Sequence, residues 1–177
     1  ELDRILLRAK RNWIDGVCIT GGEPCMHASL PETAAFIKEK GLALKLDTQG
    51  SFPEILRKTV PFCDYIAMDW KMPLGRYDEL IGVPVDRAAV RRSLELLKSG
   101  NVPFEMRTTV IPGIHTREDM RTICEELRGV RKLLLQPFIP RDNLPDETLR
   151  RIERTPQPLL EDFAQLCREY LDDVTVR

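Results

Sequence analysis

No run of apolar residues approaches the roughly 18 needed to cross a bilayer as a helix. The opening Glu1-Leu2-Asp3-Arg4 carries no apolar stretch of the kind that starts a secretory signal. A membrane is therefore not an expected partner, and a cytoplasmic location is the default. Net charge is also scarce: 27 Lys+Arg stand against 28 Asp+Glu, a formal charge of −1 over 177 residues. That balance removes the sequence-independent pull toward phosphate on which nucleic-acid binders rely, so no nucleic-acid partner is expected. The five cysteines, Cys18, Cys25, Cys63, Cys124 and Cys167, are scattered and form no C-x-x-C pair. They read as reduced, mostly buried thiols. What is present is 42% hydrophobic and 31% charged residues, enough for a substantial core in one globular domain over residues 1–177. The chain opens with Glu and directly in helical pattern, which suggests the later part of a longer protein.

Helix and strand periods alternate along the whole length, the mark of parallel βαβ units. The predicted order is αβαβαβαβαβα. A first helix over about residues 2–13 places Leu2, Ile5, Leu6, Ala9 and Trp13 on one face. Strands are predicted at Gly16–Thr20, Leu42–Asp47, Tyr65–Asp69, Phe104–Val110 and Lys132–Pro137, short apolar runs of the buried kind. Helix starts are legible at Ser29-Leu-Pro-Glu32, Ser51-Phe-Pro-Glu54 and Thr116-Arg-Glu-Asp119, each a cap three residues before an acid. Helices end at Gly100 and near Gly129. A last helix from Thr155-Pro156 buries Leu160, Phe163, Cys167 and either Tyr170 or Leu171. Two connections, Lys71–Asp86 and Phe138–Thr155, are longer than βα loops usually are. Right-handed crossovers curl such strands into a barrel or part of one, with function on the rim of strand C-termini.

The residues just past each strand are Gly21-Gly22-Glu23-Pro24, Asp47-Thr48-Gln49-Gly50, Asp69-Trp70-Lys71, Arg107-Thr108-Thr109 and Gln136-Pro137. Three carboxylates, an ammonium and a guanidinium on one rim would oppose burial unless paired with each other or with a zwitterion of amino-acid type. Gly21-Gly22 allows close backbone approach and Glu23 can accept from an ammonium, or the run is a tight turn before the next helix. Asp47, Thr48 and Gly50 serve a ligand or form a cap and turn. Lys71 faces the same ligand as Asp69, or the two make a local ion pair.

Four segments, Gly16-Val-Cys-Ile-Thr-Gly-Gly-Glu-Pro24, Leu46-Asp-Thr-Gln-Gly50, Met68-Asp-Trp-Lys71 and Glu105-Met-Arg-Thr-Thr-Val-Ile-Pro-Gly113, together resemble the radical S-adenosylmethionine (SAM) enzymes. More narrowly they resemble the activators of glycyl-radical enzymes, those of anaerobic ribonucleoside-triphosphate reductase and pyruvate formate-lyase. Tyr77-x-x-Leu80-x-Gly82 followed by Val90-x-x-Ser93 fits that subgroup. The resemblance implies an α/β fold, a partial (βα)6 TIM-like barrel with SAM across the strand C-termini. It implies that Gly21, Gly22 and Glu23, in the run closed by Pro24, take the methionyl ammonium, with Asp47 nearby. Lys71 would meet the methionyl carboxylate. By the same resemblance Asp47, Thr48 and Asp69 would hold a monovalent cation, Arg107 and Thr109 would flank the nucleoside, and Gln136 would face ribose or adenine. The implied partners are a glycyl-radical enzyme and an electron donor such as flavodoxin or ferredoxin.

The family's C-x-x-x-C-x-x-C loop, which binds a 4Fe-4S cluster, is absent. Cys18 and Cys25, seven positions apart with Cys18 in a strand, do not replace it. This chain alone is therefore not expected to cleave SAM, and the cluster and activity belong to a parent protein. No general acid or base is implied, which suits a chain with two His, His27 and His115. Arg76, Tyr77, Arg141, Asp142 and Arg150 in the long loops are candidate partner contacts or a plain solvated surface. Three other readings remain: a radical enzyme acting on a small molecule or peptide, a non-catalytic barrel fragment, and a Schiff-base aldolase with Lys71 as nucleophile.

Overall fold

The alternating pattern folds as alternating elements in the computed structural model, which describes residues 2–11, 13–144 and 146–177. The order is α1 (Leu2–Arg11), β1 (Gly16–Ile19), α2 (Leu30–Glu39), β2 (Ala43–Thr48), α3 (Pro53–Thr59), β3 (Tyr65–Asp69), α4 (Tyr77–Ile81), α5 (Arg87–Ser99), β4 (Phe104–Val110), α6 (Arg117–Glu126), β5 (Lys132–Pro137), α7 (Glu147–Arg150), α8 (Gln157–Cys167) and β6 (Asp173–Val176). The six strands form a sheet in chain order, β1 to β6. Pairings β1·β2, β2·β3, β4·β5 and β5·β6 are parallel, as the crossover helices require. The fold class is α/β, with the strand order of a partial TIM-like barrel.

The chain divides into two compact units, Glu1–Asp69 with Asp86–Phe104, and Trp70–Val85 with Glu105–Arg177. In the first, Ala34 and Ile37 of α2, Leu56 of α3 and Val90, Leu94 and Leu97 of α5 are buried, as are Leu44, Leu46, Ile66 and Met68 on the strands. These helical positions repeat every three or four residues, so each helix turns one apolar stripe inward. In the second unit Met120 and Ile123 of α6 and Leu160, Phe163 and Cys167 of α8 are buried with Leu133 and Leu135 of β5. Leu171, rather than the half-buried Tyr170, completes the apolar face after α8.

Several expectations are corrected. On α1, Leu6 is buried but Ile5 is 57% exposed, and Trp13, past the helix end at φ +64°, is 94% exposed. The side chains of Leu2 and Ala9 lie outside the described residues. Strand β1 alternates between exposed and half-buried residues instead of being buried, because it is terminal in the strand order. The α3 cap is Phe52, not Ser51, since Pro53 takes the first helical position. Ser29 precedes α2 but sits in helical backbone and makes no capping bond. Thr116 and Asp119 do form a reciprocal capping box. Both long connections contain a short helix, α4 and α7, and a sixth strand, β6, follows α8. Its Asp-Val-Thr-Val run is half polar, which hid it from a search for apolar runs. Among the described residues no helix is long and apolar enough to cross a membrane.

Candidate functional site

Parallel pairing in the first unit puts the C-terminal ends of β1 and β2 side by side, with Ile19 opposite Leu46. Glu23 joins the two loops that follow. Its Oε1 accepts from the Cys25 amide at 2.9 Å and the Thr48 hydroxyl at 2.8 Å, and its Oε2 accepts from the Gln49 amide at 2.6 Å. Glu23 is 8% exposed, so these bonds replace the water a buried carboxylate would otherwise lack. A carboxylate offers about four lone-pair sites, and three hydrogen bonds leave room on Oε2 for one cationic donor. Thr48 is itself held, its Oγ1 accepting from the Gly50 amide at 3.0 Å, and the Gly50 carbonyl accepts from Ser93 Oγ at 2.7 Å.

The glycines divide by cause. Gly21, at φ +133°, has a backbone that side chains rarely allow, and a Cβ there would meet nothing within 4 Å. Gly22 shows neither a positive φ nor a neighbour within 4 Å, so its flank is open to a ligand. A cavity of about 620 Å³ lies beside this loop, lined by Gly22, Glu23, Met26, His27 and Thr33 among others. Asp47 shares a face of β2 with Lys45 and forms an ion pair with it, a partner the sequence reading missed. Thr48, the next residue, points to the opposite face, so the two do not act as neighbouring ligands from one side. Asp69 is half-buried at the end of β3.

In the second unit, Arg107 and Thr109 lie on one face of β4, half-buried and exposed respectively. Gln136 on β5 stands directly across from Thr109. Half-buried Lys71 follows Trp70, whose indole Nε1 donates to Glu126 Oε2 at 3.0 Å. The same carboxylate accepts from the Leu74 amide at 3.1 Å, closing the Trp70–Leu74 turn. Glu126 was not singled out in the sequence, although one signal existed: α6 ends on acids with no base in its last turn, against the helix dipole. Tyr77 and His115 are also buried and grip Lys71's backbone, as detailed below. Tyr77 is therefore no partner contact. Arg76 is engaged as well, its Nη1 2.7 Å from both Asp119 oxygens and its Nε 2.8 Å from Glu79. Arg150 donates to the Leu144 carbonyl at 2.7 Å, while Arg141 and Asp142 are exposed.

Burial, with the Glu23 charge adding to it, pushes the Cys25 thiol up to about 12 against the opposing Thr48 hydrogen bond, and burial with Asp64 nearby does the same at Cys63. Such thiols stay protonated and are poor metal ligands. Cys18 is exposed; the other four cysteines are buried and unbridged. Among the described residues no three His, Cys, Asp or Glu side chains gather in a way that could hold a metal ion. They do not fit a 4Fe-4S cluster.

A sequence profile of the radical SAM superfamily matches residues 1–127. The chain is 29% identical over 170 residues to a candidate glycyl-radical enzyme activating enzyme of Methanocaldococcus jannaschii, covering 92% of this chain and 70% of that one. It is 27% identical over 162 residues to the 7-carboxy-7-deazaguanine synthase of the same organism, covering 89% of this chain and 61% of the relative. Among solved structures it resembles a domain of pyruvate-formate lyase-activating enzyme from Bacteroides vulgatus, with TM-score 0.69 and 18% identity, over 92% of this chain and 98% of that one. It also resembles TYW1 with a lysine-pyruvate adduct bound, with TM-score 0.71 and 16% identity, over 95% of this chain and 59% of that one.

Proposed function

This chain belongs to the radical SAM superfamily, and from that premise we propose that it is the core of an enzyme that binds S-adenosylmethionine to raise a glycyl radical on a partner protein. One observation carries the binding half: a buried carboxylate, Glu23, preset by three hydrogen bonds beside two glycines of open flank. Such a group needs no reorganisation to receive an ammonium, so the ordering cost falls before the ligand arrives. Gly21, Gly22 and Glu23, with Pro24 starting the turn, take the methionyl amine. Lys71 takes the carboxylate, Arg107 and Thr109 the nucleoside, and Gln136 the ribose or adenine. Thr48, whose hydroxyl is engaged by Glu23 and Gly50, is assigned as the support of Glu23 and not as a cation ligand. Asp47 and Asp69 keep the monovalent-cation assignment.

Bound SAM supplies a sulfonium whose one-electron cleavage yields a radical able to take hydrogen from glycine. This chain's residues bind and orient that molecule. The electron comes from a flavodoxin- or ferredoxin-type donor. The glycyl-radical partner is supported by the name of the Methanocaldococcus relative. A small-molecule substrate is the second reading, favoured by the likeness to 7-carboxy-7-deazaguanine synthase.

Titration calorimetry with SAM tests the binding half. The wild-type chain is expected to give heat, and Glu23→Gln to bind about tenfold more weakly, the scale of one charge-assisted hydrogen bond. No heat with the wild type overturns the reading, and equal affinity for the variant overturns the role of Glu23.

A further inference from the structure

The backbone at Lys71 is tethered on every polar atom, within the second unit. The Trp70 amide donates to the Arg107 carbonyl at 2.8 Å, and the Trp70 carbonyl accepts from Thr108 Oγ1 at 2.8 Å. The Lys71 amide donates to the Tyr77 hydroxyl at 3.0 Å, and His115 Nε2 lies 2.8 Å from the Lys71 carbonyl. His115 Nδ1 accepts from the Ile111 amide at 3.0 Å. An amide can only donate, so Nδ1 carries the lone pair and the neutral ring presents its proton at Nε2 to Lys71. Tyr77 and His115 are 3% and 5% exposed, yet the residue they hold is half-buried and could satisfy the same groups with water.

Two rigid peptide planes meet at each Cα, and fixing both fixes the direction of the Cα–Cβ bond. Tyr77 holds the plane before the Lys71 Cα and His115 the plane after it. We infer that Tyr77 and His115 are positioning residues that set the direction of the Lys71 side chain, and so its reach to the carboxylate of a bound amino-acid sulfonium. This rests on the reading of Lys71 as the partner of that carboxylate. His115 also ties the turn after β4 to the segment after β3, so the base of Lys71 moves with that turn.

The test compares SAM with decarboxylated S-adenosylmethionine, which lacks the group Lys71 meets. Calorimetry of both ligands is run on the wild-type chain, Lys71→Ala, Tyr77→Phe and His115→Phe. Lys71→Ala is expected to lose about tenfold in affinity for SAM and little for the decarboxylated analogue. Tyr77→Phe, which removes one hydroxyl, should show the same selectivity at about threefold or more, and His115→Phe should follow it where it folds. If Tyr77→Phe weakens both ligands equally, or neither, while Lys71→Ala remains selective, the positioning role is overturned and the reading of Lys71 stands. If Lys71→Ala is not selective, the reading of Lys71 fails and the inference falls with it.

Discussion

Thr48→Val keeps the shape of a buried side chain and removes its hydroxyl, and with it two hydrogen bonds: Oγ1 to Glu23 at 2.8 Å and Gly50 N–H to Oγ1 at 3.0 Å. Glu23 keeps its bonds from Cys25 and Gln49, but the Gly50 amide is left buried without its acceptor. An unsatisfied buried donor costs about 1–3 kcal/mol and a lost bond to a charged group about 1.5–3 kcal/mol. Partial relaxation brings the expected loss to about 3 kcal/mol, which for a chain of this size is about 6–12 °C in Tm. Reversible urea unfolding and thermal melts followed by circular dichroism measure it, with Thr48→Ser as the control that retains the hydroxyl. A loss below about 0.5 kcal/mol for the valine variant, the size of an ordinary surface change, would refute the claim that Thr48 holds Glu23 in place.

Gly50→Ala would place a Cβ 2.2 Å from Met68 Cε at φ +78°, so a loss of about 2–4 kcal/mol is expected in the same unfolding assay. Gly22→Ala meets nothing within 4 Å and should fold with stability within about 0.5 kcal/mol of the parent while binding SAM more weakly; unchanged affinity would show that the ligand does not approach this backbone. Stability should also depend on pH. Burial holds His115 below the usual histidine value of 6.5, so its contribution is complete above that pH and is lost as the unfolded ring takes up its proton first on acidification. Burial raises Asp119, but the Arg76 guanidinium and Thr116 outweigh it and hold the carboxyl below its usual 3.8. That second contribution is complete above about pH 4 and lost as pH falls through the lower folded value. Urea midpoints from pH 8 to 3 should therefore decline in two stages, and a flat profile would contradict both assignments.

Strands β3, β4 and β5 have the bounds predicted for them; β3 and β5 carry buried apolar runs, Ile66–Met68 and Leu133–Leu135, as strands covered on both faces do, whereas β4 is marked only by Phe104, Met106 and Val110 among polar residues. The terminal strands depart from that rule in opposite directions: β1, Gly-Val-Cys-Ile, is apolar yet exposed to half-buried, so its sequence predicts a buried strand, while β6 alternates with polar residues and escapes a search for apolar runs. The capping box at Thr116 was legible because cap and acid are three residues apart, whereas α2 and α3 start without a side-chain capping bond and with a proline in the first turn, Pro31 second in α2 and Pro53 first in α3. At the candidate site the residue types were visible in the motifs, but their partners were not. Thr48 is 25 positions from Glu23, His115 is 44 from Lys71, and Glu126 is 56 from Trp70, separations that no local pattern encodes. Lys45 was two positions from Asp47 and could have been found, because alternate strand residues share a face.

A crystal structure of this chain soaked with S-adenosylmethionine tests the central claim most directly. The account predicts the methionyl nitrogen at hydrogen-bond distance, about 2.7–3.2 Å, from Glu23 Oε2, with the carboxylate of Glu23 still held by Cys25, Thr48 and Gln49. A ligand seated elsewhere, or one whose ammonium points away from Glu23, would contradict it.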